Sequence, residues 1–478
     1  MRKLAASLLA VALTAGCAVG PNYKPPVVQE PERYRDVQGP PAPASSVANQ
    51  AWWEIFQDKA LFDLIDEALR HGYDVRLAAA RVEEFQARAG IARSEFFPQI
   101  GYGGDVSRGL ASTYVSPNAT TANRVTANVN FGWELDLWGR IRRLNEAARA
   151  RYLATEEARR GVVLSLVSDV ARTYFTLLEL DSELVIAKQT VAAFRETNDL
   201  YQRKLEGGAA STIQTSYSAA ALNQVAAQVP FIERQIEATE NQLNLLLGRI
   251  PGPIPRGAPL TGQSLPPEVP AGLPSDLLRQ RPDVQQAEQQ LVAANAEVGV
   301  AMANFFPTIS LTGFFGGVSP DVSNLFSAGK AWSIAAGLVG PLFQGGRLRS
   351  EYDTAVALWQ QAKIQYEQTV TNAFAETTTV LYARQKMIQT QASLEETVAQ
   401  YQEMVRTANV RYAAGLTSYF EVLYAMQQLY PAEIALSRSR LDLLNDYVDI
   451  YKALGGGWDQ QEFPPPASPD PAPWQKED

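Results

Sequence analysis

The sequence predicts a mainly α-helical chain that also carries membrane β-strands, the whole built from one unit written twice. Three observations predict it. Asp74, Val75, Ala78, Ala87, Gly90, Ala92, Phe96, Phe97 and Pro98 return with intact spacing as Asp283, Val284, Ala287, Ala296, Gly299, Ala301, Phe305, Phe306 and Pro307. Further on, Gly139-Arg140 pairs with Gly346-Arg347, Gly208 with Gly415, Ser211 with Ser418 and Leu247-Gly248 with Leu454-Gly455. Second, Gly139 to Leu205 holds no proline and one internal glycine, Gly161, while Arg347 to Ala414 holds neither. Third, after each Phe-Phe-Pro the apolar residues switch to two-residue alternation, the period of a strand. A repeat this long exceeds a solenoid module, so the unit is itself a supersecondary assembly.

The chain begins as an exported protein does. Arg2 and Lys3 precede an apolar run from Leu4 to Leu13, the charged start and short core of a secretory signal, too short to span a bilayer. Leu13-Thr14-Ala15-Gly16-Cys17 resembles a bacterial lipoprotein cleavage box, with Thr14 where leucine is usual. Residues 1–16 are therefore expected to be a lipoprotein signal peptide and 17–51 a lipid-anchored extended tether, dense in proline. Cys17 is the only cysteine, so no internal disulfide is possible, and a free thiol is a liability in an oxidising compartment. Acylation of Cys17 with diacylglycerol and an N-acyl chain explains its retention; the alternative is a stray thiol near a cleavage point. Ala18 follows, with no aspartate to suggest inner-membrane retention, which resembles an outer-membrane lipoprotein. The formal net charge of −9 argues against nucleic acid as a partner.

The first repeat is assigned to 52–248. Ala60–His71 and Asp74–Phe97 read as helices, the second stopping at Pro98 because the residue before proline avoids helical conformation. Ile100, Tyr102 and Val106, then Val125, Ala127, Val129, Phe131, Trp133 and Leu135, alternate as a hairpin over about 99–136, with a polar tip between. The helical hairpin 139–248 follows. Its outgoing helix, about 100 Å long at 1.5 Å per residue, carries a seam at Val163, Leu166, Val170, Leu177, Leu180, Leu184, Ala187, Val191 and Phe194. A second stripe runs at Leu164, Val167, Ala171, Tyr174 and Leu178. Two stripes imply neighbours on both flanks, as in a wall of helices. The return helix repeats the spacing at Val225, Val229, Ile232, Ile236, Leu243 and Leu246.

Residues 249–274, rich in Pro and Gly, link to the second repeat, 275–455. That repeat has a hairpin over about 308–340 and a helical hairpin over 346–454; 456–478 is a tail, disordered in part. Four strands cannot close a barrel, the smallest having about eight, and open edges are not tolerated in lipid. The chain must therefore oligomerise, two copies supplying eight strands and three supplying twelve. Long helices extending from such a barrel make a duct.

Leu273 to Leu278, Arg281-Pro282-Asp283, Ala293-Ala294-Asn295-Ala296, Phe305 to Thr312, Trp133 to Arg140 and Tyr451 to Trp458 together resemble the TolC-like outer-membrane factors of the NodT or OprM type over nearly the whole mature chain. The resemblance implies a lipoprotein homotrimer with a twelve-stranded barrel and a twelve-helix periplasmic tunnel. It also implies a place in the outer membrane as the passive exit duct of a tripartite efflux pump. The implied partners are a periplasmic membrane-fusion adaptor, an inner-membrane transporter of the resistance-nodulation-division class and outer-membrane lipid. No cofactor beyond the Cys17 lipid is expected. A protein-secretion duct, a metal-ion efflux duct and a structural or adhesin trimer are the alternatives. No nucleotide-binding glycine loop is present, and an enzyme is not expected, since His71 is the sole histidine and neither a metal set nor a nucleophile's base is at hand.

In such ducts the gate lies at the periplasmic turns, here Lys204 to Gln214 and Arg411 to Tyr424. The resemblance points to Glu206, Arg411, Tyr412, Thr417, Tyr419 and Glu421, with Arg411 positioned to pair with Glu421 or Glu206. Thr417 and Tyr424 stand where relatives carry aspartate, so an acidic ring does not carry over. Aromatic packing by Tyr412 and Tyr419 is expected to close the tip instead. The alternative is that these are solvated residues of an ordinary turn.

Overall fold

The computed structural model describes residues 18–28, 58–110, 120–263 and 274–456. The signal segment, Cys17, most of the tether, the tip of the first β-hairpin, part of the linker and the tail lie outside the described residues. In chain order the elements are α1 (Lys59–His71), α2 (Tyr73–Ser94), β1 (Gln99–Gly109), β2 (Ala122–Leu135), α3 (Arg140–Glu206), α4 (Thr212–Ala226), α5 (Gln228–Leu246), α6 (Pro274–Gln280), α7 (Pro282–Ala303), β3 (Thr308–Ser319), β4 (Lys330–Val339), α8 (Arg347–Ala413) and α9 (Tyr419–Ala453). Both α3 and α8 run for 67 residues. The chain divides into two compact units, one of residues 1–27, 81–156 and 286–368, the other of 28–80, 157–285 and 369–478.

The first unit holds an antiparallel sheet in the order β1-β2-β3-β4. Its central pairing joins the two repeats, from Val125 opposite Ser319 to Leu135 opposite Ile309. The register puts Ile100, Phe131, Gly313 and Ile334 in one row, and Val129, Phe315 and Trp332 in the next but one, on a single face. Asn128, Asn130, Ser310, Thr312 and Ser333 fall on the other. Ile334 and Trp332 are 73% and 72% exposed, so the apolar face is bare and the polar face is opposite. That is the division a membrane barrel makes between lipid and lumen. Among the described residues β1 and β4 are left as open edges.

Below the strands, polar anchors fix the entry into α3. Asp136 accepts hydrogen bonds from the backbone N–H of Ile141 (3.0 Å) and Arg142 (2.9 Å), a carboxylate at the positive end of the helix. Arg140 grips Glu134 through two bonds of 2.8 and 2.7 Å. Trp138 stacks on Phe306 with ring centroids 4.8 Å apart and donates to the Pro307 carbonyl at 2.7 Å.

In the second unit the twin stripes of α3 are the core. Leu166, Val170 and Leu177 of one stripe and Leu164, Val167, Ala171, Tyr174 and Leu178 of the other are buried. They pack with Leu61, Leu64 and Ile65 of α1, Leu243 of α5, and Leu444, Tyr447 and Tyr451 of α9. Farther along, Leu180 and Ala187 meet Ile232, and Phe194 meets Ala221, Val225 and Leu423. Asp58 caps α1 through Ala60 N–H at 2.8 Å and also accepts from the Tyr174 hydroxyl at 3.1 Å. The return of the first hairpin is not one helix: it breaks at Ala227 between α4 and α5. Pro230 supplies no N–H and its ring collides with the carbonyl four residues back, that of Ala226. α9 continues through Pro431, where Ala432 and Leu436 are buried against Val398.

Arg281 is the polar keystone of this unit. It bonds Asp283 through two contacts of 3.0 and 2.8 Å and the Ala453 carbonyl at the end of α9 at 2.8 Å, and reaches Glu376 of α8 at 2.7 Å. Its side chain is nearly buried, while both carboxylates are half exposed. Arg281→Ala is therefore expected to cost about 1.5–3 kcal/mol, the range for hydrogen bonds to charged groups, rather than the larger penalty of a wholly buried pair. Thermal denaturation checks this.

Candidate functional site

Two turns end the outgoing helices, and the duplication makes them alike. Gly208 and Gly415 both take φ of 70°, a left-handed conformation that costs glycine little. Gly208 N–H bonds the Leu205 carbonyl and Ala209 N–H that of Lys204, at 2.9 and 2.7 Å; Gly415 bonds Tyr412 and Leu416 bonds Arg411, at 3.0 and 2.9 Å. Both are Schellman closures, which satisfy carbonyls that the helix end leaves free. Ser211 with Gln214 then forms a capping box that starts α4.

Between these turns an aromatic cluster crosses from α3 to α8 and α9. Tyr412 and Tyr419 meet edge to face with centroids 4.7 Å apart, and Tyr201 meets Tyr419 in the same way at 5.7 Å. The Lys204 ammonium hydrogen-bonds the Tyr412 hydroxyl and lies 4.8 Å from its ring centroid, a cation–π contact. The Tyr419 hydroxyl shares a 2.8 Å hydrogen bond with Thr197. Burial raises the ionisation of Tyr201 and Tyr419 above the ordinary tyrosine value, so both remain neutral. Ala408, Val422 and Ala425 floor the cluster.

Of the residues marked from sequence, the structure brings Tyr412 and Tyr419 together and sets Arg411 beside Glu421 at 3.6 Å. Both members of that ion pair are half exposed, which limits it to about 0–1 kcal/mol. Glu206 lies exposed on the first turn and Thr417 is half-buried in the second; neither is drawn into the cluster. Thr197, Tyr201 and Lys204 complete it; Lys204 opens the gate region expected from sequence, while Thr197 and Tyr201 lie outside it. They continue the α3 seam beyond Phe194 at helical spacing, the signal that finds them. An open groove of about 630 Å³ beside the cluster is lined by Tyr401, Met404, Ala408, Arg411, Glu421 and Tyr424 among others. His71 is the exposed last residue of α1.

The outer membrane efflux protein family matches residues 64–249 and again 273–456. The chain is 36% identical over 461 residues to the solvent efflux pump outer membrane protein SrpC of Pseudomonas putida, covering 94% of this chain and 97% of that one. It is 33% identical to the cation efflux system protein CusC of Escherichia coli O6:H1, with 96% and 99% covered. Its structure superposes on the open state of the Neisseria gonorrhoeae MtrE outer membrane channel with a TM-score of 0.84 at 29% identity, over 92% of this chain and 98% of that one. Matched once in each repeat, and along its length by relatives of similar size, this protein belongs to the outer membrane efflux protein family.

Proposed function

We propose that the protein is the exit duct of a tripartite efflux pump, passively conducting solvents, antibiotics or similar small toxic compounds from an inner-membrane resistance-nodulation-division transporter and its periplasmic adaptor to the outside. The observation that carries this reading is the four-stranded sheet with one bare apolar face, one polar face and two open edges. Such a sheet is stable in lipid only when further copies close it. Three copies give twelve strands, and the reading takes the homotrimer. A diacylglyceryl, N-acylated Cys17 anchors each chain to the outer membrane. The tyrosine cluster at the helical turns serves as the gate, with Arg411 and Glu421 as a minor brace and Glu206 and Thr417 lining the turns.

Electron microscopy of the detergent-extracted mature protein tests the reading. A threefold hollow cylinder with a helical tube on the order of 100 Å is expected; a compact monomer or a solid rod overturns it. A metal-ion duct is the second reading, favoured by the likeness to CusC. Deleting the gene and challenging cells with toluene and with copper or silver separates the two, since the sensitised challenge identifies the cargo class.

A further inference from the structure

Residues 18–23 lie in a fitted site of the first unit. Val19 N–H bonds the Trp138 carbonyl at 2.9 Å. The Arg143 guanidinium faces the Val19 and Gly20 carbonyls, both at 3.4 Å, and donates to the Asn22 side chain at 2.7 Å. Asn295 of α7 donates to the Pro21 carbonyl at 2.9 Å, and the Tyr23 hydroxyl to Glu288 at 3.1 Å. Arg143 and Asn295 are each 4% exposed, so two buried polar side chains turn donors onto this segment, while the remaining Arg143 Nη1 donates to Glu146 at 2.8 Å. The fit also excludes bulk. Gly20 takes φ of 95°, and a Cβ there would stand 2.5 Å from the Gly299 Cα; one on Gly139 would stand 2.6 Å from Ala18.

The internal duplication supplies a control. The repeat counterparts of Gly299 and Gly139 are Gly90 and Gly346, and a Cβ on either meets nothing within 4 Å. Arg143 and Glu288 have as counterparts Ser350 and Ala79, which lack the guanidinium and the carboxylate, and Asn295 has Gln86, whose amide sits one methylene farther out. The repeats keep the glycines and diverge at the residues that touch the segment. A chain has one N-terminal segment, and one of its two equivalent places is equipped to receive it.

We propose that Arg143, Asn295, Gly139 and Gly299 form a binding site for the small-residue peptide that follows Cys17, tying α3 of the first repeat to α7 of the second and pinning the terminus beside Trp138. The docking itself needs no lipid. With the Cys17 anchor proposed above, the docked segment starts one residue after the lipidated position, and its Val19 is bonded to Trp138, an aromatic residue of the kind that favours the membrane interface.

The test is nitroxide labelling of the full-length chain carrying Lys24→Cys, an exposed position next to Tyr23. An immobilised spectrum is expected in the otherwise native chain. Gly20→Ala and, separately, Arg143→Ala should convert most of it to a fast-tumbling signal, Arg143→Lys should lie between, and Gly90→Ala should leave it immobile. Gly20→Ala alters only the docked segment, so a folding defect at Arg143 does not obscure the result. A mobile label in the native chain, or an unchanged label in both Gly20→Ala and Arg143→Ala, overturns the site. Label stoichiometry reads the anchor independently: one label per chain means Cys17 is blocked by acylation, two mean that the lipid reading fails while the docking result stands.

Discussion

Replacing Tyr412 and Tyr419 together by alanine is expected to leave the duct open at its tip, with raised single-channel conductance in planar bilayers and leakage of antibiotics into cells. Each chain would lose one edge-to-face tyrosine pair at 4.7 Å, the Tyr201–Tyr419 contact and the Lys204 cation held over Tyr412. An aromatic pair contributes about 0.5–1.5 kcal/mol beyond its buried area. Multiplied over three copies this is roughly 1.5–4.5 kcal/mol, and with a tenfold change for each 1.4 kcal/mol the closed state should lose between one and three powers of ten in population. Tyr412→Phe keeps the ring and should leak far less, which separates packing from the hydroxyl bond. Arg411→Ala removes a half-exposed ion pair and should change conductance little. If the double alanine variant conducts and leaks like the parent, the tyrosines are ordinary turn residues and the gate lies elsewhere.

Much of this fold could be read from the order of residues because its signals are periodic. The α3 stripes stand out since a helix buried on two flanks must repeat apolar residues every three or four positions, and those predicted positions are the core. The helix ends were readable through Gly208 and Gly415, where the left-handed residue that closes a Schellman turn favours glycine. What escaped was polar and non-local. Arg281 was visible as part of a motif, but its grip on Ala453 and Glu376 spans a separation in sequence that no local period encodes. The break at Ala227 escaped because apolar spacing continues through it from Val225 to Ile232, while the deciding residue, Pro230, acts on a carbonyl four positions earlier. Arg143 escaped because a buried arginine near a helix start looks like any solvated cation until the segment it holds is in place.

The same blindness hid Glu179 and Glu183, two carboxylates one helical turn apart on α3, each 4% exposed. Arg438 of α9 donates to Glu183 at 2.8 Å and is itself largely exposed. Burial first, and then the charge of Glu183, pushes the Glu179 carboxyl up to about 8 from an ordinary value of 4.5. The native chain therefore holds a proton at neutral pH that the unfolded chain has released. Between these two values folding binds a proton, so this group's contribution to stability falls as pH rises and is fully lost above about pH 8. Glu179→Gln, which fixes the protonated form in shape and polarity, should remove that fall. Its apparent melting temperature should match the parent's near pH 5 and exceed it by a widening margin toward pH 8. Arg438→Ala should act in the opposite direction at all these pH values, leaving Glu183 buried without its cation. Loss of one partner from a buried pair costs about 3–5 kcal/mol, and the exposure of Arg438 places the expected loss at the lower end. Combining the two substitutions gives the sharper measurement. Above about pH 8, where the Glu179 carboxyl is ionised, a neutral residue 179 removes the repulsion that Arg438 offsets, so there Glu179→Gln should recover part of the Arg438→Ala loss. If the two effects simply add, the carboxylates do not share one electrostatic site, and α3 and α9 are held here by their apolar seam alone.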